Sequence, residues 1–242
     1  MTMAKGLEAA GAARWFYAAM GSLIALTVYA GFAPTFFARP AAVGPLSPLL
    51  FVHGIVFSIW VLLFIVQASL MAAGRARLHF ALGTAGAALA AVVTILGLIV
   101  SLDALRRGAA PIPGAPAHVF FSVPLFDTLL FAGFIALGLL NRHRPDIHKR
   151  FMYLSAVAMT PPAFGRLIPL WDSPALFAFM PHTIWGLSLL FVLAGAAFDF
   201  ATRRAVHPVY LWGGLAIALS SPLRFMIAAT PLWTDLTARL AG

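Results

Sequence analysis

Long apolar runs, separated by short polar, basic or proline-containing segments, follow one another along the chain. Each run exceeds the about 17 residues that a membrane-crossing helix needs, and none has the strict apolar–polar alternation of a membrane-barrel strand. The pattern predicts an all-α, polytopic integral membrane protein with seven transmembrane helices in a single domain, residues 1–242. The predicted spans are 15–33, 48–72, 79–101, 117–140, 149–170, 181–201 and 208–229.

Basic residues are concentrated on one side of these predicted spans, where ten lysines and arginines face four on the other side. Because cytoplasmic loops carry the excess of positive charge, we expect the N-terminus inside and the C-terminus outside. One leading helix is then followed by three hairpins, in a bacterial-type cytoplasmic (inner) membrane. The inner set is Lys5, Arg14, Arg75, Arg77, Arg142, Arg144, Lys149, Arg150, Arg203 and Arg204, and the outer set is Arg39, Arg106, Arg107 and Arg239.

Composition narrows the possible functions. The chain is 62% hydrophobic and 10% charged, whereas a soluble domain is about a quarter charged. It contains no cysteine, which excludes a disulfide framework, an iron–sulfur cluster, c-type haem and a cysteine nucleophile. The net charge of +9 is explained by membrane orientation, so the expected partner is the lipid bilayer and not nucleic acid.

Specific enzyme and receptor classes are also disfavoured. No serine-hydrolase elbow or phosphate-binding loop occurs, and we assign no catalytic residue, although whether the protein is an enzyme stays open. The only lysines, Lys5 and Lys149, lie outside the seventh span, so a retinal Schiff base there is excluded. With short loops throughout, any chemistry must take place between helices or with a partner subunit.

Three charged residues of the predicted spans lie where lipid would penalise them: Asp127, Arg166 and Arg224. Both arginines are near the outer surface, where a long side chain can reach water. Asp127 is about 13 Å below the level of His118 at the helical rise per residue, so it must be protonated, paired or hydrogen-bonded. A functional ionisable group and a structural Asp–Arg clasp are both open.

Two other features predict a polar or irregular interior. His53, Trp60 and Gln67 recur every seven residues and therefore share one face of the second span. That face lines a cofactor or proton path, or makes ordinary interhelical hydrogen bonds. The fifth span contains Pro161-Pro162, which break the helix in the membrane and favour a cavity beside it.

Histidines mark the entrances of the spans and form a repeat. Intervals of 65 and 64 residues separate the outer ones, and 69 and 59 the inner ones. Such matched depths on alternate helices suit two stacked b-type haems, each held by two imidazoles. The outer histidines are His53, His118 and His182, and the inner ones are His79, His148 and His207.

The segments HGIVF at 53–57 and RARLH at 75–79 resemble the cytochrome b561 family over the second to fifth spans. In that family, histidines of helices two and four hold one haem and those of helices three and five hold the other. The resemblance implies haem b ligation by His53 with His118 and by His79 with His148. Arg166 and Arg224 would then pair with the propionates of the outer haem.

A second resemblance covers most of the chain. The 53–67 stripe, the basic segment 141–150 and His207-Pro208 are similar to uncharacterised multi-helix bacterial inner-membrane proteins. Some related small membrane proteins are linked to respiratory-oxidase assembly. This resemblance implies a non-catalytic accessory or assembly subunit of a membrane complex.

The sequence thus leaves several hypotheses open. One is a bis-His haem protein that transfers electrons, with a quinone or other membrane subunits as partners. Another is a zinc or copper site at the outer face formed by His53, His118 and His182. A third is the accessory subunit without a cofactor, and a transporter built on the broken fifth span is a fourth.

Overall fold

The computed structural model describes residues 2–109, 116–167 and 174–242, with side chains described for 13–109, 116–167 and 183–242. The described residues form α-helices joined by short turns, without strands. A π-helical turn, Ala33–Phe37, extends α1, and a short 3-10 turn, Ala41–Val43, precedes α2. The helices are α1 Thr2–Phe32, α2 Pro48–Ala72, α3 Ala76–Arg106, α4 Ala117–Leu140, α5 Pro145–Val157, α6 Pro161–Leu167, α7 Pro174–Arg203, α8 Pro208–Ala228 and α9 Pro231–Ala241.

Six segments of the described chain are long and apolar enough to cross a membrane. They indicate a multi-pass membrane protein and confirm the all-helical prediction. Their large apolar side chains, such as Leu26, Phe80 and Leu193, are exposed on the outside of the bundle, where acyl chains would cover them. The segments are Ala13–Phe37, Pro48–Ala72, Ala76–Arg106, Ala117–Leu140, Thr183–Arg203 and Pro208–Ala228.

Prolines set several helix boundaries as expected. Pro48 and Pro208 begin α2 and α8, where a missing N–H costs nothing. Pro181 was expected to begin the sixth span, which is wrong, because α7 starts at Pro174. This helix also begins at a proline.

The predicted fifth span is interrupted, and the prediction of a break at Pro161-Pro162 is confirmed. α5 ends at Val157, a turn covers 158–160, and α6 begins at Pro161. Thr160 closes the turn, since its hydroxyl lies 2.8 Å from both the Val157 carbonyl and the Ser188 hydroxyl. The interruption is therefore buried in protein, as irregular backbone at membrane depth must be.

α5 and α6 together run beside α1. Near the start of α5, Lys149 lies 5.8 Å from the Tyr17 ring, and near the end of α6, Arg166 lies 4.2 Å from the Phe32 ring. Gly31 permits the close approach, because a Cβ there would lie 2.6 Å from the Ala163 carbonyl oxygen. The two short helices therefore run along the part of α1 between Tyr17 and Phe32.

Replacing Gly31 by alanine tests this contact. We expect a destabilisation of about 1–3 kcal/mol, because the added methyl group meets the α6 backbone, which cannot rotate away. The measurement is thermal unfolding of the purified protein in detergent. Gly133→Ala is the matched control: it lies in open space on α4, so it should be neutral or gain up to about 1 kcal/mol of helix propensity. Equal stability of the two variants would contradict the packing.

The core of the bundle is centred on α5. Tyr153, Leu154 and Val157 have no exposed surface. They pack against apolar side chains of the neighbouring helices, including Phe134 of α4 and Tyr210 of α8. α5 is thus surrounded by protein, while the long apolar helices each present one side outward.

A final amphipathic helix, α9, caps one end of the bundle. The Trp233 indole N–H donates to the His118 carbonyl at 2.8 Å, and the Arg106 guanidinium donates to the Leu240 carbonyl at 3.1 Å. Leu232 and Leu236 face away from the bundle. The sequence analysis did not predict this helix, because its 11 residues are too short for a span.

Candidate functional site

The structure brings together two of the predicted haem ligands, His79 at the start of α3 and His148 at the start of α5. Their ring centroids lie 6.3 Å apart with an interplanar angle of 84°, and both residues are half-buried. The two helix starts lie at the same end of the bundle because α4 connects them antiparallel to α3. We call these two side chains the inner histidine pair.

Each ring of the inner histidine pair has its Nδ1 engaged. His148 Nδ1 lies 2.8 Å from the Gly138 carbonyl oxygen, which can only accept, so this nitrogen carries the proton and Nε2 keeps its lone pair. The Gln67 amide lies 2.7 Å from His79 Nδ1. When the amide nitrogen faces His79, Gln67 also accepts from the Gly83 N–H at 3.2 Å, and the His79 proton lies on Nε2.

The stripe on α2 points into the bundle, as predicted. Trp60 is buried and meets Phe131 of α4 edge-on, with ring centroids 5.3 Å apart. Gln67, on the same face of α2, contacts His79 of the inner histidine pair. His53 packs on Phe57, with centroids 4.0 Å apart, and its buried Nδ1 has no hydrogen-bond partner.

The outer histidines are placed differently from the inner ones. His53 interacts electrostatically with Arg166 of α6, whereas His118 lies beneath α9, where its carbonyl accepts from Trp233. Between these two described side chains the structure shows neither a ring contact nor a hydrogen bond. The His182 side chain, the third member of the predicted zinc or copper site, lies outside the described residues.

A search of the described side chains finds no group of three or more histidine, aspartate or glutamate residues placed to hold a metal ion. The inner histidine pair offers two nitrogens, so a metal bound there needs further ligands from a porphyrin or from solvent. Of the predicted sets, the inner two-imidazole arrangement is therefore the one that the geometry favours.

Asp127 has the partner that its depth requires. Its Oδ1 lies 2.8 Å from the Arg224 Nη1 of α8 and 3.3 Å from the Trp185 indole nitrogen of α7. Arg224 has no exposed surface, and its guanidinium lies 4.3 Å from the centroid of the Trp185 ring. It also donates to the Val123 carbonyl and to Ser220. The outcome is a clasp that joins α4, α7 and α8.

Arg166 is exposed, and its guanidinium contacts neighbouring residues. Its guanidinium donates to the Pro162 carbonyl at 2.7 Å and lies over the Phe32 ring. Arg224 is paired with Asp127, so of the two arginines expected to pair with haem propionates, Arg166 is the accessible one.

A second buried ion pair joins Arg150 of α5 to Asp199 of α7, and the sequence analysis missed it. Both side chains are 1% exposed, and the guanidinium binds both carboxylate oxygens. Arg150 was assigned to the inner surface by the charge count. The pattern did contain a clue, since Asp199 falls inside the predicted sixth span and needs a partner as Asp127 does.

Around this pair lies a polar cluster at the inner end. Asp199 accepts from the His207 backbone N–H at 3.2 Å, and the Tyr17 and Tyr210 hydroxyls are 3.2 Å apart. A hydrogen bond from Lys149 lowers the pKa of the exposed Asp146, with help from nearby arginines, and burial beside Arg150 lowers the pKa of His207. Neutral His207 caps α8, where its Nδ1 accepts from the Val209 N–H.

Comparison with known proteins found no matching family model, no similar curated protein and no similar solved structure. The interpretation of the site therefore depends on its own geometry.

Proposed function

We propose that this protein carries single electrons in the membrane and holds a redox metal, as haem b, between His79 and His148. The observation that supports the proposal is the 6.3 Å separation of the two ring centroids. An imidazole nitrogen binds a transition metal at about 2.0 Å, so two rings whose centroids are about 6 Å apart could both hold one metal ion. Haem held in this way supplies a reversible one-electron couple.

The groups beside the two rings favour different tautomers of His148 and His79. The Gly138 carbonyl holds the His148 proton on Nδ1, which leaves Nε2 free to bind a metal. His79 differs, because the orientation of Gln67 that satisfies its amide donates to Nδ1 and to the His79 carbonyl oxygen and leaves the proton on Nε2. Nε2 of His79 becomes free to bind a metal when the amide turns its oxygen toward Nδ1. Gln67 is therefore a positioning residue, and its amide orientation selects the His79 tautomer.

The proposal is limited to one haem at the inner level. The arrangement implied by the cytochrome b561 resemblance needs a second pair, His53 with His118, and these side chains make no described contact. His53 packs on Phe57 of its own helix, and the His118 carbonyl accepts from Trp233 of α9. They do not fit a shared iron, so we assign them no cofactor.

The proposed membrane arrangement has seven crossings, with the N-terminus in the cytoplasm of a bacterial-type cell. Contacts of α5 and α6 with α1 near Tyr17 and near Phe32, the two ends of the predicted first span, support an interrupted fifth crossing. The association of α9 with the end of α3 and the start of α4 supports the outward C-terminus. The inner histidine pair then lies at the basic, cytoplasmic end, within reach of a soluble electron donor or a partner subunit.

An absorbance spectrum with haem and metal analysis tests the function. The purified protein, produced with an adequate haem supply, should show a Soret band that shifts and sharpens on reduction. His79→Ala and His148→Ala should each lose bound haem, because one of the two residues that would hold it is missing. Gln67→Leu should weaken haem binding about 10–100-fold, whereas Gln67→Glu should retain it, because a carboxylate can only accept from Nδ1.

His143→Ala is the matched control, since His143 is exposed in the loop just before α5. It should leave the spectrum unchanged. Circular dichroism of each variant separates loss of haem from loss of fold. A folded wild-type protein without haem after reconstitution would contradict the proposal, as would spectra of the two histidine variants that match the wild type.

A second candidate function is that of a non-catalytic accessory subunit. It is favoured by the way the buried charges are used: Asp127 with Arg224, and Arg150 with Asp199, join helices to one another. Such clasps make a rigid scaffold for a larger complex. A well-folded preparation that contains neither haem nor stoichiometric metal would support this candidate over the first.

A further inference from the structure

A groove of about 240 Å³ lies between α7 and α8, at the level of the Asp127–Arg224 clasp. Exposed leucines beside it, Leu190, Leu219 and Leu223, place its mouth on the apolar outside of the bundle. The lining residues are Trp185, Gly186, Leu189, Ala218, Ser221 and Pro222.

The floor of the groove carries hydrogen-bonding groups that the fold leaves unused. Ser221 is 4% exposed, and its hydroxyl has no partner, unlike Ser220, whose hydroxyl donates to the Ile217 carbonyl. Pro222 has no N–H to donate to the Ala218 carbonyl four residues earlier. In a hydrocarbon environment unpaired polar groups are costly, so a hydroxyl and a carbonyl at one groove favour a polar ligand.

Trp185 forms an aromatic wall of the same groove, and it is held rigidly. Its indole N–H donates to Asp127, and the Arg224 guanidinium lies over the ring. Beside it, Gly186 has no side chain and leaves open space, since a Cβ there would meet nothing within 4 Å. Trp185 is 4% exposed, so a flat ring in the groove would meet an edge of the indole from the membrane side.

We propose that this groove binds a lipid-soluble molecule whose head is a single hydroxylated aromatic ring, that is, a quinol-type ligand. Its hydroxyl would donate to Ser221 or to the Ala218 carbonyl, its ring would contact Trp185, and its tail would lie along the exposed leucines. The volume is below the about 300–1,000 Å³ of sites for drug-sized ligands, which suits one ring and not a two-chain lipid. The inference goes beyond the electron-carrier proposal and does not depend on it.

Titration calorimetry of the full-length protein in detergent, with a short-chain alkyl benzoquinol kept reduced, tests the inference. The wild type should bind saturably at one site. Gly186→Leu should abolish binding, because its side chain fills the groove. Ser221→Ala should weaken binding about three- to tenfold, the value of one hydrogen bond, and should not harm folding because no bond within the protein is lost.

Gly133→Leu is the matched control, because it places the same side chain in open space on α4, and it should bind as the wild type does. Equal binding by the two leucine variants would overturn the inference, as would absence of saturable binding in the wild type. A short-chain diacylglycerol that binds in place of the quinol would also overturn it, because the occupant would then be a lipid. Loss of haem in the inner-pair variants leaves these results unchanged, so the two proposals fail separately.

Discussion

Replacing Arg150 by leucine is expected to destabilise the protein by about 3–5 kcal/mol, since it leaves an unpaired carboxylate at a buried position. The Asp199 carboxylate is 1% exposed and would keep only the His207 backbone N–H as a donor. The same substitution removes the bond from Arg150 to the Asp146 carbonyl. Because α5 is the centre of the core, we expect the loss to affect the whole bundle.

Thermal and denaturant unfolding in detergent, followed by circular dichroism, would measure this effect. Arg203→Gln is the control: Arg203 pairs with Asp146 across 3.5 Å, but both side chains are largely exposed, so its cost should be about 1 kcal/mol or less. The double variant Arg150→Leu with Asp199→Leu should recover most of the stability, because no buried charge remains. A single variant as stable as the control would show that the pair is solvated.

Replacing Asp127 by asparagine is expected to cost about 3 kcal/mol, close to the penalty for an unpaired arginine in the middle of a membrane helix. Arg224 has no exposed surface and would keep its positive charge, with neutral acceptors alone among the described groups: the asparagine amide oxygen, the Val123 carbonyl and Ser220. The Trp185 indole N–H can still donate to the amide oxygen, so the loss is that of the compensating negative charge. The contacts among α4, α7 and α8 should therefore loosen together.

Asp103→Asn provides the comparison, because Asp103 pairs with Arg107 one helical turn away on the surface of α3. Its cost should be only about 0.3–0.5 kcal/mol. Asp127→Asn combined with Arg224→Gln should be more stable than Asp127→Asn alone, since both charges are then removed. Equal unfolding temperatures for Asp127→Asn and Asp103→Asn would contradict the Asp127–Arg224 clasp.

The charged residues show most clearly what could be predicted from the sequence and what could not. The depth of Asp127 required a partner, and this requirement is met by Arg224, 97 residues away. The depth of Asp127 alone did not identify Arg224 as its partner, because Arg166 also lies inside a predicted span. Asp199 carried the same requirement but was overlooked, since its partner Arg150 had been counted as a surface charge.

The histidines also show which properties the sequence predicts and which it does not. Apolar periodicity gives the height of a residue in the bundle, and His79 and His148 were correctly placed at one height. It does not give the direction in which a side chain points, because each residue turns the helix by about 100° and small errors accumulate. Hence the inner pair meets, while His53 and His118, also assigned to one height, face different neighbours.

Local chemistry along the chain determined three properties of this protein. It is helical, two of its helices begin at Pro48 and Pro208, and Pro161-Pro162 interrupt its fifth apolar run. These properties follow from hydropathy and from the missing proline N–H, which act on neighbouring residues only. Which helices touch, which acids meet which bases, and that Ser221 lies unpaired beside Trp185 were decided by tertiary packing. Contacts of that kind depend on helix rotation and on close approach at positions such as Gly31, and these arise only when all the helices pack together.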